Sequence, residues 1–311
     1  MDQEKRPFGA AIIEALLYLL SRLPLKFHLA CGRFFGWVLC HVVQYRKDVV
    51  ITNISRSFPD LKYKEVSALV KKSYEHLGDI FAEAVWFGGC RNARGRERLN
   101  KSGIVDILNP ETFNEVYDNS TNMMVLSSHM GNWELLGGWF NFNHNPDVTL
   151  KSDFSEIGVV YRRLENRSFD RVMEDNRCNC IKDTGFNGYL EASEVFRFAI
   201  THRREKFVYI FPTDQYPYKI ATSHNIGKFL NQETLAMTGG AALACKFGMS
   251  VSYLRWKSTG RGSYSIEFVP LFSDASQLTP GQIMEKYYSE LEKDIVAQPW
   301  NYLWTHKRWK K

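Results

Sequence analysis

The chain has 311 residues, of which 44% are hydrophobic and 24% charged, with 21 glycines and 10 prolines. This composition is typical of a globular protein and argues against collagen-like, disordered and low-complexity chains. Forty lysines and arginines against 34 aspartates and glutamates give a formal charge of +6. That excess is too small to indicate a nucleic-acid-binding protein by itself, but it is compatible with an anionic membrane surface or an acidic partner.

The N-terminal region is apolar and has helical periodicity over residues 8–23. Its apolar face contains Phe8, Ile12, Ala15, Leu16, Leu19 and Leu23. Pro24 is expected to end this helix, and a second apolar stretch without acidic, lysine or arginine side chains follows at residues 34–45. Neither stretch reaches the roughly 20 apolar residues of a spanning helix, and no signal-peptide cleavage site is present.

These features predict a membrane-associating helical anchor over residues 1–45. The favoured arrangement is a pair of helices lying in the membrane interface, and a helical hairpin packed on the soluble core is an equal alternative. A tilted single span is the third arrangement, so the protein is expected to be peripheral or single-pass.

Residues 46–311 alternate strand-like and helix-like segments. The predicted strands are residues 123–127, 158–161, 207–211, 250–256 and 264–269, and the predicted helices are residues 63–87, 164–176, 189–201, 233–247 and 282–296. This alternation argues for one α/β domain whose sheet is flanked by helices on both faces. The six cysteines show only one close pair, Cys178 and Cys180, so we expect reduced thiols and a body in the cytosol.

One segment combines several chemically informative residues. The strand at residues 123–127 is followed by His129, a Gly-Asn turn and a helix that begins with Trp133 and Glu134. Asn132 is a good N-cap, and Glu134 falls in the first turn, where a carboxylate is favoured. Because active sites of open α/β sheets lie beyond the carboxyl ends of strands, His129 is a candidate catalytic residue.

A sharp turn between His129 and Glu134 would allow the imidazole and the carboxylate to approach each other. A carboxylate on one ring nitrogen leaves the other nitrogen as a general base for an alcohol. The structural alternative is a histidine satisfied by the backbone, with Glu134 as an ordinary first-turn acid. No second histidine lies at ligand spacing, so a metal site is not expected.

The SSHMGNWE segment resembles the H-x4-(D/E) box of glycerolipid acyltransferases. Its HxGNWE form is more similar to the lipid A secondary acyltransferases, the lauroyl and myristoyl transferase family. Further segments resemble that family in the same order, at residues 53–59, 159–171, 211–215 and 299–308. The resemblance covers nearly the whole chain. Where many members carry Phe-Phe-Gly this chain has Phe229-Leu230-Asn231, and Arg163 replaces a frequent proline, which concerns the acceptor and chain length more than the reaction.

The resemblance implies a glycerolipid-acyltransferase-like fold and transfer of a fatty acyl chain from acyl carrier protein, or coenzyme A, to a hydroxyl of a lipid A precursor. His129 would be the general base and Glu134 its orienting partner. The transfer would be direct, without a resident cofactor or an acyl-enzyme. It also implies a location at the cytoplasmic face of the cell inner membrane. The alternatives are another acceptor (a lysophospholipid, an aminolipid or a glycosylated phosphatidylinositol) or a non-catalytic lipid-binding protein.

Further residues are candidates for substrate binding. Arg162, Asn166 and Asp170 follow a predicted strand at i+4 spacing, so they are expected to share one helix face. Arg162 suits bidentate contact with a phosphate of a lipid headgroup or a phosphopantetheine arm, although a helix face with Arg-Glu pairs would look alike. The other candidates are Asn132, Trp133 and Asp214. Asp214 follows the predicted strand 207–211 and either lines the cleft or is a turn residue.

Two segments combine cations into a surface suited to a membrane or an acidic carrier protein. The first contains Arg91, Arg94, Arg96, Arg98 and Lys101, and the second is the C-terminal run of aromatic and basic residues from Trp300 to Lys311. Aromatic rings with cations fit a headgroup interface. A solvated basic face is the alternative, and no recognised nucleic-acid-binding module accompanies them.

Overall fold

A computed structural model describes residues 8–144, 147–164, 166–180, 188–218 and 221–310. The helices are α1 (Phe8–Ser21), α2 (Leu25–His41), α3 (Lys47–Ser57), α4 (Tyr63–Phe87), α5 (Asn92–Ser102), α6 (Pro110–Asp118), α7 (Arg167–Cys178), α8 (Val195–Thr201), α9 (Gly239–Phe247) and α10 (Pro280–Ala297). The strands are β1 (Val105–Ile107), β2 (Asn122–Ser127), β3 (Asn143–His144), β4 (Ile157–Tyr161), β5 (Tyr189–Glu191), β6 (Phe207–Pro212), β7 (Ser223–Phe229), β8 (Gln232–Met237), β9 (Ser250–Gly260) and β10 (Ser263–Phe272). Short 3₁₀ helices cover Trp133–Asn141, Phe154–Glu156 and Pro299–Asn301.

Eight strands form one mostly parallel sheet in the order β3-β1-β10-β9-β2-β6-β4-β5. Only β9 and β10 pair antiparallel within it, and β7 and β8 form a separate hairpin. Every residue of the central strand β2 is buried, which shows that both faces of the sheet are covered there. Full burial explains the continuous apolar run from which this strand was predicted. The predicted α/β class is confirmed.

The predicted elements agree with the structure where the pattern is local. All five predicted strands are present, and α4 has the predicted bounds. Two predicted helices were wrong in their first part, because residues 189–191 and 232–237 are strands β5 and β8. These short segments are strands because a neighbouring strand supplies their backbone partners, β4 in one case and β7 in the other. Such pairing overrides local propensity.

The N-terminal region is a pair of helices. Pro24 precedes α2 as its N-cap with extended backbone, which agrees with the predicted break, although α2 begins nine residues before the apolar stretch at residue 34. Among the described residues, no helix combines the length and the apolar character needed to cross a bilayer. The 14 residues of α1 extend about 21 Å, against about 30 Å of hydrocarbon.

Helix α2 packs against α4 at very short range. Gly36 lies over the carbonyl of Tyr74, and Gly78 of α4 lies over the carbonyl of Gly32. The predicted hairpin therefore does pack on the body of the protein. The helical pair and the two residues after it nevertheless expose large apolar side chains, among them Leu16, Leu19, Leu20, Phe27, Phe34, Trp37, Val42 and Val43. We call these eight residues the apolar face of α1 and α2.

We expect Gly36→Ala to destabilise the fold, because the added Cβ would lie 2.3 Å from the carbonyl oxygen of Tyr74. Overpacking of this kind costs about 1–3 kcal/mol. Thermal unfolding in detergent should show a lower Tm. The matched control is Gly239→Ala, where the added Cβ has no neighbour within 4 Å, and its Tm should not fall. An unchanged Tm for Gly36→Ala would contradict the close packing of α2 on α4.

Candidate active site

The candidate site lies at the carboxyl ends of β2 and β6. The two strands are parallel, and Ser127 lies opposite Pro212 in the register. His129 and Asp214 each follow two residues later, so the sheet brings them to the same edge. The Nδ1 atom of His129 lies 2.7 Å from Oδ1 of Asp214. Asp214, one of the predicted substrate-binding residues, is therefore the partner of the imidazole.

Asp214 is held as a carboxylate. It is only 1% exposed, and burial alone would raise its pKa, but the charge and hydrogen bonds of His129 outweigh burial and hold the pKa below its usual range. Burial, together with the Asp214 carboxylate, raises the pKa of Tyr302 well above its ordinary value. An ionised carboxylate only accepts hydrogen bonds. The proton of a neutral His129 ring therefore resides on Nδ1, and Nε2 carries the lone pair.

The Nε2 side of His129 faces away from Asp214. The imidazole is 14% exposed, and the side-chain amide nitrogen of Gln215 lies 3.0 Å from Nε2. The ring of Trp133 packs edge-on against the imidazole at a centroid distance of 4.8 Å. A basic nitrogen with a fixed tautomer at the mouth of the sheet can take a proton from an attacking hydroxyl.

Glu134 does not contact His129 among the described residues, so the expected direct pair is corrected. Its carboxylate makes a bidentate ion pair with Arg177 of α7, at 2.6 and 2.7 Å, and accepts from the indole nitrogen of Trp133 at 3.0 Å. Burial would lower the pKa of Arg177, but Glu134 outweighs it and the pKa is raised. Glu134 is therefore linked to His129 through Trp133, whose indole donates to Glu134 and whose ring packs on the imidazole.

Asn132 is an interior residue of the loop at residues 128–132, which carries His129. It is fully buried, its Oδ1 accepts from the backbone N–H of Glu134 at 3.1 Å, and its amide nitrogen donates to Glu83 at 2.8 Å. The predicted N-cap is thus confirmed. The expected contact between Asn132 and a substrate is not supported, because Asn132 has no exposed surface. Gly131 makes the preceding turn with a φ of +63°, where an added Cβ would also strike Trp256.

Glu83 was not found from the sequence, because a single acid within a long amphipathic helix carries no distinguishing pattern. Its carboxyl group has no exposed surface and accepts from Asn132 and from the hydroxyl of Tyr264. Burial raises the pKa of Glu83 to about 8. At neutral pH, the carboxyl group that accepts the hydrogen bond from Asn132 is therefore neutral.

The predicted Arg162, Asn166 and Asp170 face is not a helix face, because α7 begins only at Arg167. Asn166 caps that helix through the N–H of Phe169, and Asp170 accepts from the N–H of Leu164. Both residues therefore stabilise the turn into α7. Arg162 is exposed, and its guanidinium lies 4.4 Å from the ring centroid of Tyr218. A phosphate contact by Arg162 stays a prediction.

Part of the C-terminal run is interior, and the expected membrane-facing surface stays a prediction for its exposed residues, such as Lys307 and Lys310. Tyr302, Trp304 and Arg308 are buried. The segment bonds to the loop at residues 128–132. Met130 forms a β-bridge with Tyr302, and the carbonyl of His129 accepts from the backbone N–H of Leu303. The C-terminus thus fixes the backbone that carries the imidazole.

The basic segment at residues 91–101 forms most of α5. Arg98 donates to the carbonyls of Ser21 and Leu23 and lies over the ring of Trp86, so it joins α5 to the end of α1. Lys101 pairs with Glu97 on the exposed surface. Part of this cationic segment therefore has a structural role.

Comparison with known proteins decides the family. The model of the bacterial lipid A biosynthesis acyltransferase family matches residues 5–311. The chain belongs to this family. None of the curated proteins matches the sequence. The family is one of acyltransferases, and acyl transfer is chemistry that a histidine–carboxylate pair at the edge of the sheet can serve.

In this acyltransferase, Phe229-Leu230-Asn231 stands where the resemblance led us to expect Phe-Phe-Gly, and the structure explains the difference. Leu230 and Asn231 have φ angles of +50° and +61° and form the turn between β7 and β8. Asparagine tolerates this conformation better than most residues other than glycine. Its amide also donates to the carbonyl of Ser57. The departure therefore lies in a hairpin turn that packs on α3.

The raised pKa of Glu83 predicts a pH-dependent stability. The folded state keeps the proton up to about pH 8, whereas the unfolded chain loses it near pH 4.5, so stability should fall between these values by about 1.4 kcal/mol per pH unit at most. Glu83→Gln imitates the protonated form and should remove this slope. Denaturation of both proteins from pH 5 to 8 measures the difference. Parallel curves would contradict a neutral Glu83.

The ion pair of Glu134 and Arg177 predicts strong coupling. Glu134→Gln leaves a buried guanidinium uncompensated, and Arg177→Met does the same to the carboxylate, so each should lower stability by about 3–5 kcal/mol. The double variant should lose clearly less than the sum. Chemical denaturation of the four proteins measures the coupling. Additive losses would show that the pair does not stabilise the site.

Proposed function

We propose that this protein transfers a fatty acyl chain from acyl carrier protein, or coenzyme A, to a hydroxyl of a lipid A precursor, with His129 as general base. The main observation in support of this proposal is the hydrogen bond from Nδ1 of His129 to the ionised Asp214. It leaves Nε2 as an acceptor beside the cleft. The family membership supports acyl transfer and the lipid A precursor as acceptor.

The chemistry can proceed in one direct displacement. The acceptor hydroxyl donates its proton to Nε2 of His129 while its oxygen attacks the thioester carbonyl. An ester bond forms, the carbon–sulfur bond breaks, and the imidazolium returns the proton to the leaving sulfur as a free thiol. Asp214 stabilises the imidazolium between these steps, as in other carboxylate–histidine pairs.

An acyl-enzyme is not required by this arrangement. Ser127 and Ser128 precede the base in the chain, but neither has exposed surface. The proton on Nδ1 and the acceptor lone pair on Nε2 suit a base that serves an external alcohol. Direct transfer without a resident cofactor is therefore our proposal for the mechanism.

We also propose that the protein binds the cytoplasmic face of the inner membrane peripherally. The apolar face of α1 and α2 exposes eight large side chains, with Leu19 and Phe34 each 67% exposed. Arg94 and Lys101 of α5 lie in a cleft with Pro24 and Leu25, at the junction of α1 and α2. Cations beside an apolar helix suit an anionic headgroup surface, and the same cations suit an acidic carrier protein.

Substitution of the pair tests the base. His129→Ala should abolish transfer, and Asp214→Asn should lower kcat about 10³-fold or more, because an amide no longer fixes the Nδ1–H tautomer. Transfer of a labelled acyl chain from acyl carrier protein to a lipid A precursor measures both, with circular dichroism to verify folding. A folded His129→Ala protein that retains full turnover would exclude the mechanism.

The acceptor is tested in cells. Mass spectrometry of lipid A from cells with and without this gene should show a mass difference of one acyl chain. An unchanged profile would contradict the lipid A acceptor. In that case, a panel containing a lysophospholipid, an aminolipid and a glycosylated phosphatidylinositol would identify the acceptor that the purified enzyme uses.

A further inference from the structure

Gln215 is the second polar neighbour of the catalytic imidazole, and the transfer mechanism above does not use it. Its amide nitrogen lies 3.0 Å from Nε2 of His129. Because Nδ1–H of the neutral imidazole donates to Asp214, Nε2 of that ring can only accept. Gln215 must therefore point its NH₂ group at His129, and the two assignments agree with each other.

The contact has a consequence for substrate entry. Neutral Nε2 has one lone pair, which lies in the plane of the ring and accepts one well-aligned hydrogen bond. The amide of Gln215 occupies the position that an attacking hydroxyl must take. We propose that Gln215 is a latch on the catalytic base, which covers Nε2 in the absence of a lipid acceptor and is displaced by the acceptor hydroxyl. This inference rests on the proposed function.

The latch would discriminate against water. In hydrolysis, water would give one proton to Nε2, its oxygen would bond to the thioester carbonyl carbon, and the carbon–sulfur bond would break. The products would be a free fatty acid and a thiol that takes the proton back from His129. A lipid acceptor gains binding energy from its headgroup and chains that water lacks, so it displaces the amide more readily. One net hydrogen bond corresponds to a factor of about 2 to 12.

The first experiment compares Gln215→Ala with the wild-type enzyme, using acyl carrier protein that bears a labelled fatty acid. Without an acceptor, the variant should release free fatty acid about 2- to 12-fold faster. With a lipid A precursor, its apparent KM for the acceptor should fall by a similar factor, because no latch has to be displaced. The kcat of transfer should stay within about twofold.

A matched control removes another half-buried glutamine. Gln232 donates to the hydroxyl of Ser57 in the β7–β8 hairpin, so Gln232→Ala should leave the hydrolysis rate and the KM unchanged. A fall of 10²-fold or more in both reactions of Gln215→Ala would instead indicate a donor to the developing oxyanion and would overturn the latch. Unchanged rates for Gln215→Ala would overturn it as well.

Gln215→Glu tests the direction of the hydrogen bond. A carboxylate accepts where the amide donates, so it should hold a proton on Nε2. Hydrolysis and transfer should both fall at neutral pH and recover as the pH rises. A pH profile identical to that of the wild type would contradict the contact.

Two readouts separate failure of the latch from failure of the proposed function. An enzyme that cleaves the thioester but acylates only a lysophospholipid would refute the lipid A acceptor, while the comparison of hydrolysis rates would still decide the latch. In addition, the ¹⁵N resonance of His129 Nε2 should move in Gln215→Ala and not in Gln232→Ala, whatever the turnover. The absence of this difference would refute the latch.

Discussion

The parallel pairing of β2 with β6 is the constraint on which the active site depends. The register places Ser127 opposite Pro212, so the residues two positions later, His129 and Asp214, meet beyond the sheet. A slip of one residue would turn the side chains of a strand to the other face and separate the pair. Hydroxyls of α10 hold both strand ends, since Tyr287 donates to the carbonyl of Ser127 and Tyr288 to that of Thr213.

Behind the imidazole, buried polar groups hold the loop at residues 128–132 in place. Asn132 of this loop donates to the neutral Glu83 of α4, which also accepts from Tyr264 of β10, and Met130 forms a β-bridge with Tyr302. Most residues of the HxGNWE segment therefore face the interior and give the loop its shape. Trp133 is an exception, because it packs against the base while its indole is tied to Glu134.

The Glu134–Arg177 pair also relates the active site to the apolar N-terminal helices. Arg177 belongs to α7, and α7 contacts α1. The helix whose apolar face is proposed to enter the membrane interface is therefore separated from Trp133 by a single packed helix. This arrangement suits the proposed transfer between two substrates with acyl chains, because a single helix separates α1 from Trp133, which packs on His129.

The local sequence pattern determined much of the secondary structure of this protein. The buried run of β2, the Asn132 cap, the break at Pro24 and the bounds of α4 follow from periodicity and capping, and they placed His129 at a strand end. Only the tertiary structure decided its partner, because Asp214 lies 85 residues away in the chain and reaches the ring through sheet register. Likewise, only the tertiary structure shows that Arg177, from a third segment, forms the ion pair with Glu134. Hydrogen-bond partners depend on which segments meet in space, and spacing along one segment does not contain that information.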